Sequence, residues 1–352
     1  MSIKLVGLVL TLTVVFLQAV STQAAPPITG SPVLDAPDNV LAWPVERGVQ
    51  HPSLSEPTAN QLNDMHATFD HCDMSFTTAG NYHMALQELW NTVYLPSFGD
   101  MPLRNWFYTT SPPIVSRQID RGIVQIGNVD VTCRPQVAAA PIGTINNLKG
   151  GGLIDGEPVA VIKNRGNVIL VKKGNPKQIR SIYDLARPDI RVVTPNPMSE
   201  PGSFANYAGA IYNIALQDPN PPVGMDAAKL FEAIFNSRQD DASQAKWLAG
   251  STIHHREVPW SVAYGHGDAA VIFYHLALHA LRTFPALFEI VPLGGTVEEP
   301  QPLPGNPQEV TYLVRLKGNF TARQVEATQK LFQAYQSSAF TAILARHGLT
   351  RP

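Results

Sequence analysis

From Cys72 onward the chain keeps returning to one rhythm: a short apolar strand, a polar loop, then an amphipathic helix. "CDMSFTT" is followed by "AGN" and by "YHMALQELWNTVYLPSF", in which Met84, Leu86, Leu89, Trp90 and Val93 recur at helical spacing. "RNWFYTT", "SPP" and "IVSRQIDRG" repeat the unit, and "GNVDVTC" with "RPQ" opens a third round. Strand, loop, helix and strand in this order build a parallel sheet with helices on its faces, and such sheets bind ligands beyond the carboxyl ends of their strands. The loops 77–81, 109–111 and 132–136 are therefore predicted to face one crevice.

A second α/β unit starts at "NVILVKKGNPKQIRSIYDLARPDIRVVTPNP", with a strand, a turn at 174–176, a helix "IRSIYDLA" and a strand "IRVVTPN". The loop "PMSEPGS" leads into a helix "FANYAGAIYNIALQ". A further helix begins near His254, the strand "GDAAVIFY" and another helix follow, and the strands "FEIVPL" and "EVTYLVRLKG" precede a helical tail. Ahead of Cys72, "SEPTANQLNDMHATF" has the pattern of a short capped helix, and 25–58 is Pro-rich and aperiodic, an extended arm.

The first residues carry Lys4, an apolar stretch from Leu5 to Val20, and Thr22 and Ala24 at the −3 and −1 positions of a cut after Ala24. That is the layout of a secretory signal peptide over 1–24, and the apolar stretch is shorter than the ~20 residues a spanning helix needs. No cysteine lies near the cut, so the expected product is an exported chain without a lipid anchor. The remaining 328 residues (352 − 24) exceed what one core organises, so two domains are expected. A net charge of −2 and the lack of any Lys/Arg cluster argue against a nucleic-acid partner.

Two cysteines in an exported chain suggest one bridge, Cys72–Cys133. Set near opposite ends of neighbouring strands, however, they would stand ~20 Å apart at ~3.3 Å per residue, whereas a disulfide needs Cα atoms within ~7 Å. The spacing argues against the bridge and leaves the question open.

Four of the ten histidines fall within 251–277, with Arg256 and Glu257 among them. His254 and His255 are adjacent, so on a helix their side chains diverge by about 100° and do not grip one metal together. His275 and His279 have the i, i+4 spacing that can bind zinc, but no Glu follows the first and no third ligand is evident. There is no G-x-S-x-G elbow, P-loop, C-x-x-C or H-E-x-x-H. The expectation is a pocket rim, with no metal, no cofactor and no catalytic group.

"NVILVKKGNPKQIRSIYDLARPDIRVVTPNPMSEPGSFANYAGAI" resembles the middle of periplasmic molybdate-binding proteins and their relatives among extracellular solute-binding proteins. "SFTTAGN…ALQELW" and "TTSPPIVSRQIDRG" look like that family's first and second ligand loops, "GDAAVIFYHLA" is similar to its pocket strand, and "SSAFTAILARHGL" to its closing helix. The resemblance implies an α/β, type II periplasmic binding protein fold: two α/β lobes, a hinge-crossing pair of strands and a central ligand cleft. The implied lobes are 70–166 plus 287–352, and 167–286, with 25–69 left as an arm. The implied task is capture of a small anion or polar solute by a monomer that docks on the membrane permease of an ABC-type transporter; a ligand sensor for a membrane receptor and a metal binder using the histidines are the alternatives. By motif, ligand contacts fall on Thr77, Thr78 and Asn81, on Thr109, Thr110 and Ser111, on Pro201, Gly202 and Ser203, on the backbone N–H of His255 and on Tyr274. Asn81 stands where the family has serine, and Pro112, Pro113 and Pro201 stand where it has N–H donors. These departures favour a ligand larger than molybdate.

Overall fold

The computed structural model describes residues 25, 40–41, 63–66, 72–78, 80–103, 106–109, 116–126, 129–197, 200–235, 246–250 and 254–352. The predicted signal peptide, 1–24, lies outside them. Two six-stranded sheets organise the chain. In chain order the strands are β1 (Val40–Leu41), β2 (Asn63–His66), β3 (Met74–Thr78), β4 (Trp106–Thr109), β5 (Val124–Ile126), β6 (Val129–Val131), β7 (Val137–Pro141), β8 (Ile154–Lys163), β9 (Asn167–Lys172), β10 (Val192–Thr194), β11 (Trp247–Gly250), β12 (Ala269–Phe273), β13 (Phe288–Val291) and β14 (Val310–Leu316). The first lobe is built on the sheet β2-β4-β3-β7-β14-β8, the second on β1-β11-β10-β12-β9-β13, and β5-β6 form a separate ribbon. Every residue of β3 and β12 is buried, as expected of strands covered by helices on both faces.

The helices are α1 (His83–Leu89), α2 (Ser116–Arg121), α3 (Ile142–Gly150), α4 (Pro201–Gln217), α5 (Ala227–Phe235), α6 (His254–Ala263), α7 (Tyr274–Thr283), α8 (Ala322–Gln336) and α9 (Ser338–Arg346). Proline opens α4 at a position whose N–H would be unpaired in any case. Thr321 and Gln324 close a capping box at the start of α8. Separate apolar clusters fill the two lobes, with one exception: Met84 of α1, 6% exposed, belongs to the cluster of the second lobe.

Several expectations change. "GNVDVTC" is a strand, but β6 pairs antiparallel with its neighbour β5, and the third parallel strand of the first sheet is the alanine-rich β7. β3 and β7 run in parallel with Phe76 beside Val137. Four residues back from each, Cys72 and Cys133 meet as a disulfide with Cα atoms 5.6 Å apart. Both cysteines lie at the amino ends of their strands, so the ~20 Å separation is wrong, and so is the loop 132–136 as a crevice loop. Gln136 instead closes the amino end of the sheet: its side chain accepts from the Ser75 N–H at 2.8 Å and donates to the Asp73 carbonyl at 3.0 Å.

The helix expected ahead of Cys72 is a strand over Asn63–His66, antiparallel to β4. β1 runs parallel to β11, so the predicted arm supplies an outermost strand to each sheet. Phe288–Val291 pairs with β9 in the second sheet, so the segment placed in the first lobe from 287 joins it only from β14. "IRSIYDLA" forms a 3₁₀ turn, Ile182–Ala186, and not an α-helix.

Among the described residues two connectors cross between the lobes, 164–166 and 292–309, and they are fastened to each other. Asn306 clamps one residue of the other crossing: its Oδ1 accepts from the Asn167 N–H at 2.8 Å and its Nδ2 donates to the Asn167 carbonyl at 2.9 Å. The Asn164 side chain accepts from the N–H of Gly166 and of Glu309, both at 3.1 Å. Gly305, at φ +81°, lies so close to α4 that a Cβ there would meet the Asn213 carbonyl oxygen at 2.1 Å.

Candidate functional site

Three chain segments converge where the lobes meet. From the first lobe comes the turn Gly80–Tyr82, directly beyond β3, running into α1. From the second come the starts of α4 and α6. Their meeting is a run of aromatic contacts: the His83 ring lies 5.5 Å from that of His255 on α6 and 5.7 Å from that of His279 on α7, and Tyr82 stacks on His275 at 5.1 Å. His275 Nε2–H donates to the Asn81 carbonyl at 2.8 Å, a hydrogen bond across the junction. Beside them a groove of about 520 Å³ is lined by His83, Gln87, His255, Arg256, His279 and His347.

The imidazoles of His83, His255, His275 and His279 are held neutral. Burial, then the Arg256 guanidinium, push the His83 pKa down to about 3. Burial does the same for His275, also to about 3, and for His279, to about 4. His255 is pushed well below its ordinary value by burial and by its neighbour His254. Desolvation disfavours the charged ring wherever water cannot reach it.

A second network lies behind the starts of α4 and α6. The Glu200 carboxylate accepts from the His254 backbone N–H and from its Nδ1–H, each at 2.9 Å. Nε2 of the same ring faces the Tyr207 hydroxyl at 2.9 Å. Nearer the crossing segments, Asn167 Nδ2 donates to Asn206 Oδ1 at 3.2 Å, and Asn206 Nδ2 donates to Glu309 Oε1 at 2.8 Å. Burial raises the Glu309 pKa. Close by, the buried Tyr82 hydroxyl is paired with the Thr311 and Asn164 side chains.

The predicted contacts distribute unevenly over this site. Thr77 and Thr78 end β3 in buried positions, and Asn81 is half-buried in the turn, its carbonyl taken by His275. Thr109 pairs with Thr77 through the backbone; its side chain, with Thr110 and Ser111, lies outside the described residues. Pro201 and Gly202 are exposed on the first turn of α4 and Ser203 is half-buried there. His255 presents its ring to His83. Tyr274 stands apart: its hydroxyl donates to the Val297 carbonyl at 2.7 Å and its ring packs against Gly348, and the tyrosine that joins the network is Tyr207. His275 and His279 diverge, one toward the turn and the other into the groove, and no group of three His, Cys, Asp or Glu among the described residues is placed to hold a metal. Sequence reasoning missed Glu200, Tyr207, Asn206 and Glu309. The signal for Asn206 and Tyr207 was two polar groups on an otherwise apolar stretch of helix.

Two mixed α/β lobes joined by crossing strands, with helix starts meeting at the junction, are the architecture of type II periplasmic binding proteins. A family model for bacterial extracellular solute-binding proteins matches residues 135–350. The chain belongs to that family. This solute-binding protein is similar in fold to the sulfate-binding protein SubI from Mycobacterium tuberculosis H37Rv, with a TM-score of 0.53, 17% identity, and 80% of this chain and 87% of that one covered. An ABC transporter substrate-binding protein from Bradyrhizobium japonicum USDA 110 is similar at a TM-score of 0.53 and 15% identity, over 80% of this chain and 83% of that one. In sequence, a 43-residue stretch is 54% identical to the sulfate-binding protein of Escherichia coli (strain K12), covering 12% of this solute-binding protein and 13% of that relative's length.

Proposed function

We propose that this protein captures a small polar solute between its two lobes in the periplasm and delivers it to the permease of an ABC-type transporter. One observation carries the reading: the turn after β3 and the starts of α4 and α6 meet across a junction spanned by two clamped connectors. Strand ends and helix starts carry backbone and hydroxyl groups that surround a solute without chemistry. The lobes are taken as 72–163 with 310–352, and 167–291, pivoting at the crossing segments in the manner of hinged two-lobe binders. The relatives named for sulfate make oxyanions the first solutes to test, alongside amino acids, polyols and organic acids.

The test is a thermal-shift screen of the dialysed protein, with Gly202→Val as control. A ligand at 100 times its Kd adds ~2.7 kcal/mol of stability. Gly202 is exposed, with open space where a Cβ would stand, so valine adds bulk at the start of α4, where the proposed solute would sit, without a clash in the fold. The expected outcome is a solute whose shift disappears in Gly202→Val while the ligand-free melting temperature stays put. A shift that survives the valine locates binding elsewhere, and no shift with any solute defeats the proposal.

A further inference from the structure

We infer that Glu200 sets the ligand class of this cleft: its carboxylate already holds the anion position at the start of α6, so the site rejects fully deprotonated oxyanions and takes a solute that brings its own hydrogen-bond donor. The inference rests on the solute-binding reading above and deepens it.

Glu200 immediately precedes α4, yet its side chain makes no cap on its own helix. It reaches to α6, 54 residues along the chain, and takes both the first backbone N–H and the ring N–H of His254, each at 2.9 Å. A helix start is where free N–H groups and the helix dipole would otherwise receive a ligand anion. At α6 that place is filled by the protein's own carboxylate. At α4 the first helical residue is Pro201, which has no N–H to offer.

The arrangement is fixed from behind. The His254 side chain is 2% exposed, and its second nitrogen is engaged by Tyr207, whose hydroxyl keeps its proton because burial raises its pKa far above the ordinary value. The Glu200 side chain is 18% exposed, so its charge is not sealed away from the space at the helix starts. Arg256, the nearest cation on α6, lines the groove beside His83. A dianion entering at the two helix starts meets a like charge. An ammonium, amide or hydroxyl group meets an acceptor.

The experiment is calorimetric titration of the full mature chain and of Glu200→Gln with sodium sulfate and with sodium molybdate. Glutamine keeps an acceptor for the His254 N–H and removes the charge. Relief of a like-charge contact is expected to tighten binding of at least one of the two salts by roughly 100-fold, from no measurable heat at millimolar concentration in the unsubstituted protein. If Glu200→Gln melts more than about 10 °C lower, which is several kcal/mol for a protein of this size, Glu200→Ser is read by the same criterion. The inference is overturned if the unsubstituted protein binds either oxyanion as tightly as the variant, or if the folded variant gains nothing. A solute shift that is lost in Gly202→Val keeps the solute-binding reading intact in that case, so the two ideas fail separately.

Discussion

Removing the Cys72–Cys133 bridge should destabilise the first lobe and leave the second untouched. The bond closes a loop with a sequence separation of 61, and that loop holds β3, α1, β4, α2 and the β5-β6 ribbon. In the chain-entropy account a loop of this size restricts the unfolded chain by roughly 14 cal/mol/K, or about 4 kcal/mol at 25 °C. Native strain is not expected to offset this, because the parallel register of β3 and β7 sets the two cysteines side by side, with Cα atoms 5.6 Å apart and inside the usual range. A melting temperature moves by ~2–4 °C per kcal/mol for a unit of 150–250 residues, so the double variant Cys72→Ser/Cys133→Ser should melt roughly 10 °C lower or more in its first lobe. Differential scanning calorimetry with and without reductant reads this directly. The expected trace has one transition displaced and one in place. A loss below about 1 kcal/mol, or an equal displacement of all transitions, would refute the reasoning.

Acid should be felt early. His83 and His275 have folded pKa values of about 3 against an ordinary 6.5, so the unfolded chain binds their protons first. Their contribution is complete above about pH 7 and is lost as pH falls through 6.5 toward 3, by about 2 kcal/mol each at pH 5. Urea titrations at pH 7.5 and pH 5 should show the difference, and His275→Gln should reduce it by about a quarter, because His255 and His279 are lowered as well; equal stabilities at the two pH values would count against the assignment. Gly305→Ala and Gly174→Ala carry the same positive-φ strain, at +81° and +79°, but only the first drives a Cβ into backbone. Gly174→Ala should cost about 1 kcal/mol and Gly305→Ala several, or prevent folding, so equal denaturant midpoints would mean that the close approach to α4 is not rigid. Asn306→Ala strips two hydrogen bonds from the buried crossing and should cost ~2–4 kcal/mol in equilibrium unfolding; a loss below about 0.5 kcal/mol would show that the clamp is not holding.

The strands and helices that follow their own periodicity were legible in the sequence; those decided by a neighbour were not. β3, β9, β12 and β14 announce themselves as apolar runs between polar loops. β7 does not, because its "VAAAP" has little intrinsic strand preference and is a strand only through β3 on one side and β14 on the other. Mistaking β6 for it displaced the cysteines to the wrong end of the sheet. "NDMH" reads as the interior of a capped helix, but the edge of β4 offers a ladder of backbone partners, and pairing overrode propensity. At the site, motif order located the turn after β3 and the starts of α4 and α6. It could not disclose that Glu200 would cap a different helix, because a contact spanning 54 residues leaves no local signature. The departure of Pro201 from a donor residue was visible, and it pointed the same way.

Met84 bears on how this protein rests when nothing is bound. It is carried by the first lobe but shares the apolar cluster of the second. Any parting of the lobes must draw that side chain into water, at a cost of about 2 kcal/mol. It must also separate the His83 and His255 rings and break the bond from His275 to Asn81. Were the lobes to part in this way, a bias of that size would hold about thirty empty molecules shut for each one open. Solute would then enter through a minority conformer, which slows association and raises the apparent Kd by the same factor. Replacing Met84 with alanine should speed association, and it would also widen the groove that Met84 helps to line.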